Sequence, residues 1–80
     1  MIVHELKTIQ PFFERVRLGE KTSELRLNDR DFQSGDTLIL KEFDPITEFY
    51  GGNIRVLVTH VLLNYKGLKK GYCILSFNIL

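Results

Sequence analysis

GEKTSELRL, residues 19–27, contains a helix stop, a strand start and a dense set of opposite charges. Gly19 fits the left-handed position that commonly ends a helix, and the residues after it have the alternation of a strand. Side chains on a strand alternate between its two faces, so the two leucines are predicted to face the core and Thr22, Glu24 and Arg26 to form a polar face. This stretch therefore predicts a helix, a strand and a polar surface in close succession.

The polar face of this strand carries groups that can hold a ligand. Lys21 lies at the start of the strand, and Glu24 and Arg26 follow on the polar face. An ammonium group, a carboxylate acceptor and a planar guanidinium within a few residues can bind a polar, planar or phosphorylated molecule. The alternative is a surface ion pair between Glu24 and Arg26 or their neighbours, which would contribute about 0.2–1 kcal/mol.

The flanking sequence predicts a mostly β domain with one helix. Phe12, Phe13 and Val16 recur at helical spacing, which predicts a short helix over about Pro11–Leu18 with these apolar residues in the core. Further strands are predicted at about Ile2–Leu6, Thr37–Phe43, Ile54–Tyr65 and Tyr72–Ile79. A strand as long as the one over 54–65 is typical of a chain that curves around a small barrel. One strand, a helix and four further strands favour a closed or partly open barrel, which removes exposed edges.

Composition limits the classes of protein to which the chain can belong. A length of 80 residues predicts a single domain over 1–80. The 11 basic and 10 acidic residues give a net charge of +1. This charge is well below that of an obligate duplex-DNA binder. Cys73 is the only cysteine, and His4 and His60 are the only histidines, so neither an intrachain disulfide nor a four-ligand zinc site is supported. No secretory signal or membrane-spanning run is evident, and we expect a cytoplasmic protein without a cofactor.

Two loops carry further candidate residues. Lys66, Lys69 and Lys70 lie in a turn with Tyr65 and Tyr72 beside it, a combination that can attract RNA phosphates and stack an unpaired base. The alternative is a solvated turn whose lysines protect a sheet edge.

A second loop is predicted to open at Asp44-Pro45 and to close at Gly51-Gly52. Ile46, Phe49 and Tyr50 lie at its tip, where exposed apolar side chains could contact another protein.

Four polar or reactive residues have mainly structural interpretations. Asp36 follows Gly35 and is predicted to fix the turn into the next strand. Arg30 lies in a turn predicted over 28–31, where it is either solvated or a ligand contact. His4 is predicted to be a packed or surface residue, and Cys73 to be a buried thiol.

Several motifs occur in an order that resembles a known family. The matching segments are His4-Glu5-Leu6-Lys7, the pattern Gly-x-Lys-x-x-Glu-x-Arg over 19–26, Asn28–Asp36 with its Phe-x-x-Gly-Asp element, and Gly67–Tyr72. Together they span nearly the whole chain. The sequence resembles the activating-signal-cointegrator homology (ASCH) superfamily, of PUA-like fold, and within it a branch of short prokaryotic and phage proteins without assigned function.

This resemblance implies a pseudo-barrel of five or six strands, with one main helix between strands 1 and 2 beside a cleft that binds RNA or modified nucleosides. It places Lys21, Glu24, Arg26 and Arg30 at that cleft. Some relatives resemble small amidohydrolases acting on an acylated cytidine, with a lysine and a threonine three positions later; here the lysine is Lys21, but the threonine position holds Glu24. We therefore expect binding of RNA or of a modified nucleoside or nucleotide. The alternative is an amidohydrolase acting on an acylated nucleoside such as N4-acetylcytidine, with Lys21 and Glu24 as its catalytic residues.

Overall fold

A computed structural model describes residues 1–80. Its elements are β1 (Val3–Thr8), α1 (Phe12–Arg17), β2 (Ser23–Leu27), β3 (Thr37–Asp44), β4 (Phe49–Leu63) and β5 (Tyr72–Ile79). The prediction of a mostly β chain with one helix between its first two strands is confirmed. No helix in the structure is both long enough and apolar enough to span a membrane.

All five strands form one sheet in the order β1-β3-β4-β5-β2. β1 runs parallel to β3, and the other neighbouring pairs are antiparallel. β4 is 15 residues long, and the strand register shifts where it pairs with β3 and again where it pairs with β5. Such bulges bend a strand, which lets the sheet curl into a half-barrel with β1 and β2 as its two edges.

The core lies on the inner face of this half-barrel. Its ten buried side chains are Leu6, Val16, Phe32, Leu38, Leu40, Val56, Val58, Cys73, Leu75 and Phe77. Most come from alternate positions of β3, β4 and β5, because side chains on a strand alternate between its faces. Phe32 belongs to no strand and reaches the core from the segment between β2 and β3.

Asp36 ties the start of the chain to the segment that precedes β3. Its carboxylate accepts hydrogen bonds from His4 Nε2 at 2.9 Å, from the backbone N–H of Ile2 at 3.1 Å and from that of Gln33 at 3.0 Å. Asp36 is 2% exposed and His4 is 6% exposed, and the His4 ring packs edge-on against Phe32. The prediction of a structural Asp36 is confirmed, and of the two positions predicted for His4, packed or at the surface, the structure shows the packed one.

The turn of the β3–β4 hairpin begins at Asp44, as predicted, but it ends earlier than predicted. Asp44 Oδ1 accepts hydrogen bonds from the backbone N–H groups of Ile46 and Thr47, so the chain reverses at once and β4 starts at Phe49. Gly51 and Gly52 lie within β4 and not at the end of a loop. A Cβ atom at Gly51 would meet the Glu42 carboxylate, so any other residue here would make that flexible side chain move.

Candidate functional site: a charged cleft between the sheet edges

The candidate site begins at the turn between α1 and β2. Gly19 has a φ of +77°, which is the left-handed conformation predicted for it. The backbone N–H groups of Glu20 and Lys21 both donate to the carbonyl oxygen of Arg15. This turn folds back on the last helical residues and brings Lys21 to the start of β2.

Lys21, Glu24 and Arg26 form one ion cluster. Lys21 Nζ lies 2.7 Å from Glu24 Oε1, and Arg26 Nε lies 3.1 Å from Glu24 Oε2. The Glu24 side chain is 8% exposed, whereas those of Lys21 and Arg26 are 27% and 28% exposed. Lys21 Nζ also donates to the carbonyl of Ser23. The carboxylate is therefore the buried centre of the cluster, and the two cations extend from it toward solvent.

The ion cluster lines an open cleft with a volume of about 650 Å³ between the ends of the two edge strands. Its polar lining consists of Lys7, Thr8, Lys21, Glu24 and Arg26, and its apolar lining of Ile9, Phe12, Leu25, Leu27 and Tyr72. Three cations and one carboxylate give the cleft a positive balance. It offers charged groups beside apolar and aromatic surface, which suits a ligand that has both a planar apolar part and an anionic part.

The prediction that the β2 leucines face the core is wrong. Leu25 is 60% exposed and Leu27 is 48% exposed, whereas Glu24 on the opposite face is 7% exposed. β2 is an edge strand whose inner face meets the cleft. The core is filled from the other strands, the helix and Phe32, and contains no residue of β2. The two leucines therefore remain at the surface, where they line the rim of the cleft.

The helix shows a similar departure from prediction. Phe13 and Val16 are buried as expected, but Phe12 is 46% exposed and contributes to the apolar lining of the cleft. A six-residue helix buries only one narrow stripe of its surface. Phe12 lies outside that stripe because it precedes Phe13 by one residue, a rotation of about 100° around the helix.

Arg26 and Arg30 also hydrogen-bond to the free edge of β1. β1 pairs only with β3, so some of its carbonyl groups have no strand partner. Arg26 Nη2 donates to the carbonyl of Lys7, and Arg30 Nη1 donates to that of Glu5 at 2.8 Å. Arg26 therefore joins β2 to β1 across the cleft, whereas Arg30 makes its contact outside the cleft lining. Of the four residues predicted at the cleft, the structure brings three together.

The predicted basic turn lies beside the cleft. Tyr72 lines the cleft, and Lys69 Nζ lies 5.8 Å from the centre of its ring. Lys66, Lys69 and Lys70 are exposed, and Tyr65 is 62% exposed. Tyr72 thus connects the two candidate surfaces, while the other four residues form a basic and aromatic extension outside the cleft.

Sequence reasoning did not identify Lys7 and Thr8 as site residues. Lys7 Nζ lies 4.5 Å from the centre of the Phe43 ring, and Thr8 is 3% exposed. Strand alternation in β1 predicts that one of them points out and the other in. Their place in the site depends on β1 ending beside β2, which no local pattern reveals.

The predicted buried thiol has a clear position. Cys73 is fully buried, as predicted, and burial raises the pKa of its thiol, with the negative charge of Asp29 acting in the same direction. No group of three or more His, Cys, Asp or Glu side chains is arranged to hold a metal ion.

The hairpin tip forms a separate surface. Ile46 is 91% exposed and Phe49 is 68% exposed, and both line a second cavity of about 430 Å³. The Tyr50 ring is tilted against that of Phe43, with centroids 5.0 Å apart. These apolar side chains lie at the tip, as predicted, and their role in protein contact stays a prediction.

Fold and cleft together define a small half-barrel domain with a charged and partly apolar cleft between its sheet edges. The chain belongs to the family described as "Domain of unknown function (DUF3850)", whose model matches residues 3–77. It is similar to the "Uncharacterized 12.9 kDa protein in GpA 3'region" of Escherichia phage P2, with 44% identity over 59 residues. The aligned region covers 74% of this chain and 53% of the phage protein, so the chain spans about half the length of that relative.

Proposed function

We propose that this domain binds RNA, or a modified nucleoside or nucleotide, in the cleft between β1 and β2. The observation that carries the proposal is the position of Lys21, Glu24 and Arg26 in one open cleft, beside exposed apolar and aromatic side chains. Nucleotides combine an anionic phosphate, a planar base and a polar base edge. The cleft offers a complementary group for each of these parts.

The cations are suited to bind phosphate or a base carbonyl. Lys21 and Arg26 are each more than a quarter exposed, so both can donate to a ligand without first leaving a buried position. Arg26 donates one hydrogen bond to Glu24 and one to a carbonyl of β1. Because a guanidinium has five N–H donors, others remain for a ligand. Lys7 adds a third positive charge to the same cleft.

The carboxylate of Glu24 is suited to accept a hydrogen bond from a base amine. It accepts one bond from Lys21 and one from Arg26. A carboxylate has about four lone-pair positions, so the two existing bonds leave it further acceptor capacity. Glu24 would then orient the base while the cations hold the phosphate.

Aromatic surface on both sides of the cluster supports the same assignment. Phe12 comes from α1 and Tyr72 from β5, and each offers a ring to the cleft on which an unstacked base could lie. Lys69 beside Tyr72 leads to the exposed lysines of the basic turn, which could contact the phosphates of a longer strand. The resemblance to the ASCH superfamily stays a prediction of the sequence, and it agrees with this assignment.

Binding to RNA is expected to depend on Lys21 and Arg26. The double substitution Lys21→Ala with Arg26→Ala should weaken the binding of a fluorescein-labelled single-stranded RNA about tenfold or more, equivalent to 1.4 kcal/mol. The salt dependence of binding should also become shallower, because each lost phosphate contact lowers the slope by about 0.7. Fluorescence anisotropy at two salt concentrations, with single-stranded and hairpin RNA, measures both effects.

A matched control removes the same charge elsewhere. The double substitution Lys41→Ala with Arg55→Ala also deletes two cations, neither of which lines the cleft, and its affinity should stay close to that of the wild type. Circular dichroism would verify that both double variants are folded. Absence of RNA binding by the wild type, or equal losses in the two double variants, would contradict the proposal.

Hydrolysis of an acylated nucleoside is the alternative activity. Acyl transfer requires a nucleophile, an activating base and oxyanion donors placed together. The ASCH-like pattern has a hydroxyl nucleophile at the position of Glu24, and a carboxylate does not replace it. We expect no deacetylation when the protein is incubated with N4-acetylcytidine and the products are separated by chromatography. Turnover that Lys21→Ala abolishes would favour the enzyme instead.

A further inference from the structure

Thr8 is a buried polar side chain of the cleft that makes no hydrogen bond to another group of the protein. It is 3% exposed, and its Oγ1 atom has no partner in the protein. The other buried polar or charged side chains, those of His4, Glu24 and Asp36, are all hydrogen-bonded. Thr8 is therefore the exception among them, and it belongs to the cleft lining.

An unpaired buried hydroxyl destabilises the folded protein, because the group loses its bonds to water and gains none in return. Threonine and valine have nearly the same shape, so a valine would fill this position in β1 without that cost. Thr8 lies on the inner face of β1, together with His4 and Leu6. The hydroxyl there is therefore free to bond with a group from outside the protein.

We propose that Thr8, through its hydroxyl, is a second residue beside Glu24 that recognises the base of a bound nucleotide, an inference that rests on the proposed function. Lys7, Lys21, Glu24 and Arg26 in the cleft are charged, whereas Thr8 and Tyr72 carry neutral hydroxyl groups that both donate and accept hydrogen bonds. Of these two hydroxyls, that of Thr8 is the buried one without a partner in the protein, and such a group suits the donors and acceptors along a base edge. Rotation about χ1 moves the hydroxyl to another staggered position and can turn Oγ1 toward a ligand.

This assignment separates recognition of the base from attraction of the backbone. Lys21 and Arg26 act on phosphate and therefore bind any strand, with or without bases. Thr8 acts on the base and has no effect on a strand that lacks one. Its loss should therefore change the preference for bases and leave the phosphate contacts as they are.

The test compares Thr8→Val with Thr8→Ser, using a labelled single-stranded RNA and an abasic strand of the same length. Thr8→Val should weaken binding of the RNA about five- to tenfold, as expected for one lost hydrogen bond, and should leave binding of the abasic strand unchanged. Thr8→Ser keeps a hydroxyl and should retain most of the RNA affinity. In the absence of RNA, Thr8→Val should raise the melting temperature, because it removes the unpaired group. Thr59→Val, at an exposed position of β4, is the control for the substitution itself.

Each outcome has a separate meaning. If wild type binds RNA and Thr8→Val binds it equally well, the inference about Thr8 fails while the proposed function stands. If Thr8→Val lowers the melting temperature, or weakens binding of the abasic strand as much as that of RNA, the hydroxyl has a structural role and the inference is overturned. If wild type binds neither strand, the proposed function fails and this inference fails with it.

Discussion

Replacing Asp36 with alanine is expected to lower the free energy of unfolding by about 3–5 kcal/mol. The carboxylate is nearly inaccessible to water and holds together three groups, the His4 ring and the backbone N–H groups of Ile2 and Gln33. Removal of the acceptor leaves the buried His4 ring and two partly buried N–H groups unpaired, and an unpaired buried donor costs more than the loss of its bond alone. Chemical denaturation monitored by circular dichroism measures the change.

The control for this substitution is Asp29→Ala. Asp29 lies in the same connecting segment between β2 and β3, but it is exposed, so the same change of charge should alter stability by no more than about 0.5 kcal/mol. Equal stabilities for the two variants would mean that the network around Asp36 does not hold the segment in place.

The contribution of Asp36 should also depend on pH. Burial raises the pKa of its carboxyl group, but hydrogen bonds from His4, Ile2 and Gln33 outweigh that effect, so the pKa lies below the usual value for aspartate. A group with a depressed pKa in the folded state stabilises the protein above its unfolded pKa, about 3.9, and loses that contribution as the pH falls through the folded pKa. The difference between wild type and Asp36→Ala should be full at neutral pH and should shrink as the pH falls below about 4. A difference that grows with acidification would contradict the assignment.

The sequence predicts the elements of this fold better than their arrangement. Alternating apolar residues identify β5, and the Gly19 stop identifies the end of α1, because both signals are local. The parallel pairing of β1 with β3 and the position of β2 beside β5 depend on contacts between distant parts of the chain. Phe32 enters the core from an irregular segment, where no periodic pattern points inward.

The residues of the candidate site also divide into those that the local sequence predicts and those that only the tertiary structure reveals. Lys21, Glu24 and Arg26 could be predicted to lie together because they occupy one turn and one strand. The alternation of side chains along a strand indicates that the leucines of β2 face away from Glu24. It does not indicate which of the two faces of the strand is buried. Lys7 and Thr8 could not be predicted, because they join the site only when the half-barrel brings the ends of its edge strands together.

Charge reversal at Glu24 is expected to have the second large effect on stability. Glu24→Lys would place three cations around a position that is 7% exposed, and we expect a loss of about 3 kcal/mol or more. Glu24→Gln keeps the size of the side chain and removes only the charge, and its cost should be about 1–2 kcal/mol, because Lys21 and Arg26 can turn toward water. Glu20→Lys is the control, since Glu20 pairs with Arg15 at an exposed position and such pairs contribute about 1 kcal/mol at most. A similar small loss for both lysine variants would show that Glu24 is effectively solvated.

The Glu24→Gln variant also separates the two roles that a buried carboxylate can have in this cleft. If Glu24 serves only to neutralise Lys21 and Arg26, its replacement frees positive charge, and RNA and an abasic strand should both bind more tightly. If Glu24 accepts a hydrogen bond from a base, as we propose, the abasic strand should gain affinity while the RNA gains less or loses affinity, since a glutamine oxygen accepts more weakly than a carboxylate. The ratio of the two affinities is therefore the decisive quantity, because it cancels the electrostatic gain that both strands share. A ratio that stays the same in the wild type and in Glu24→Gln would assign the carboxylate to stability alone.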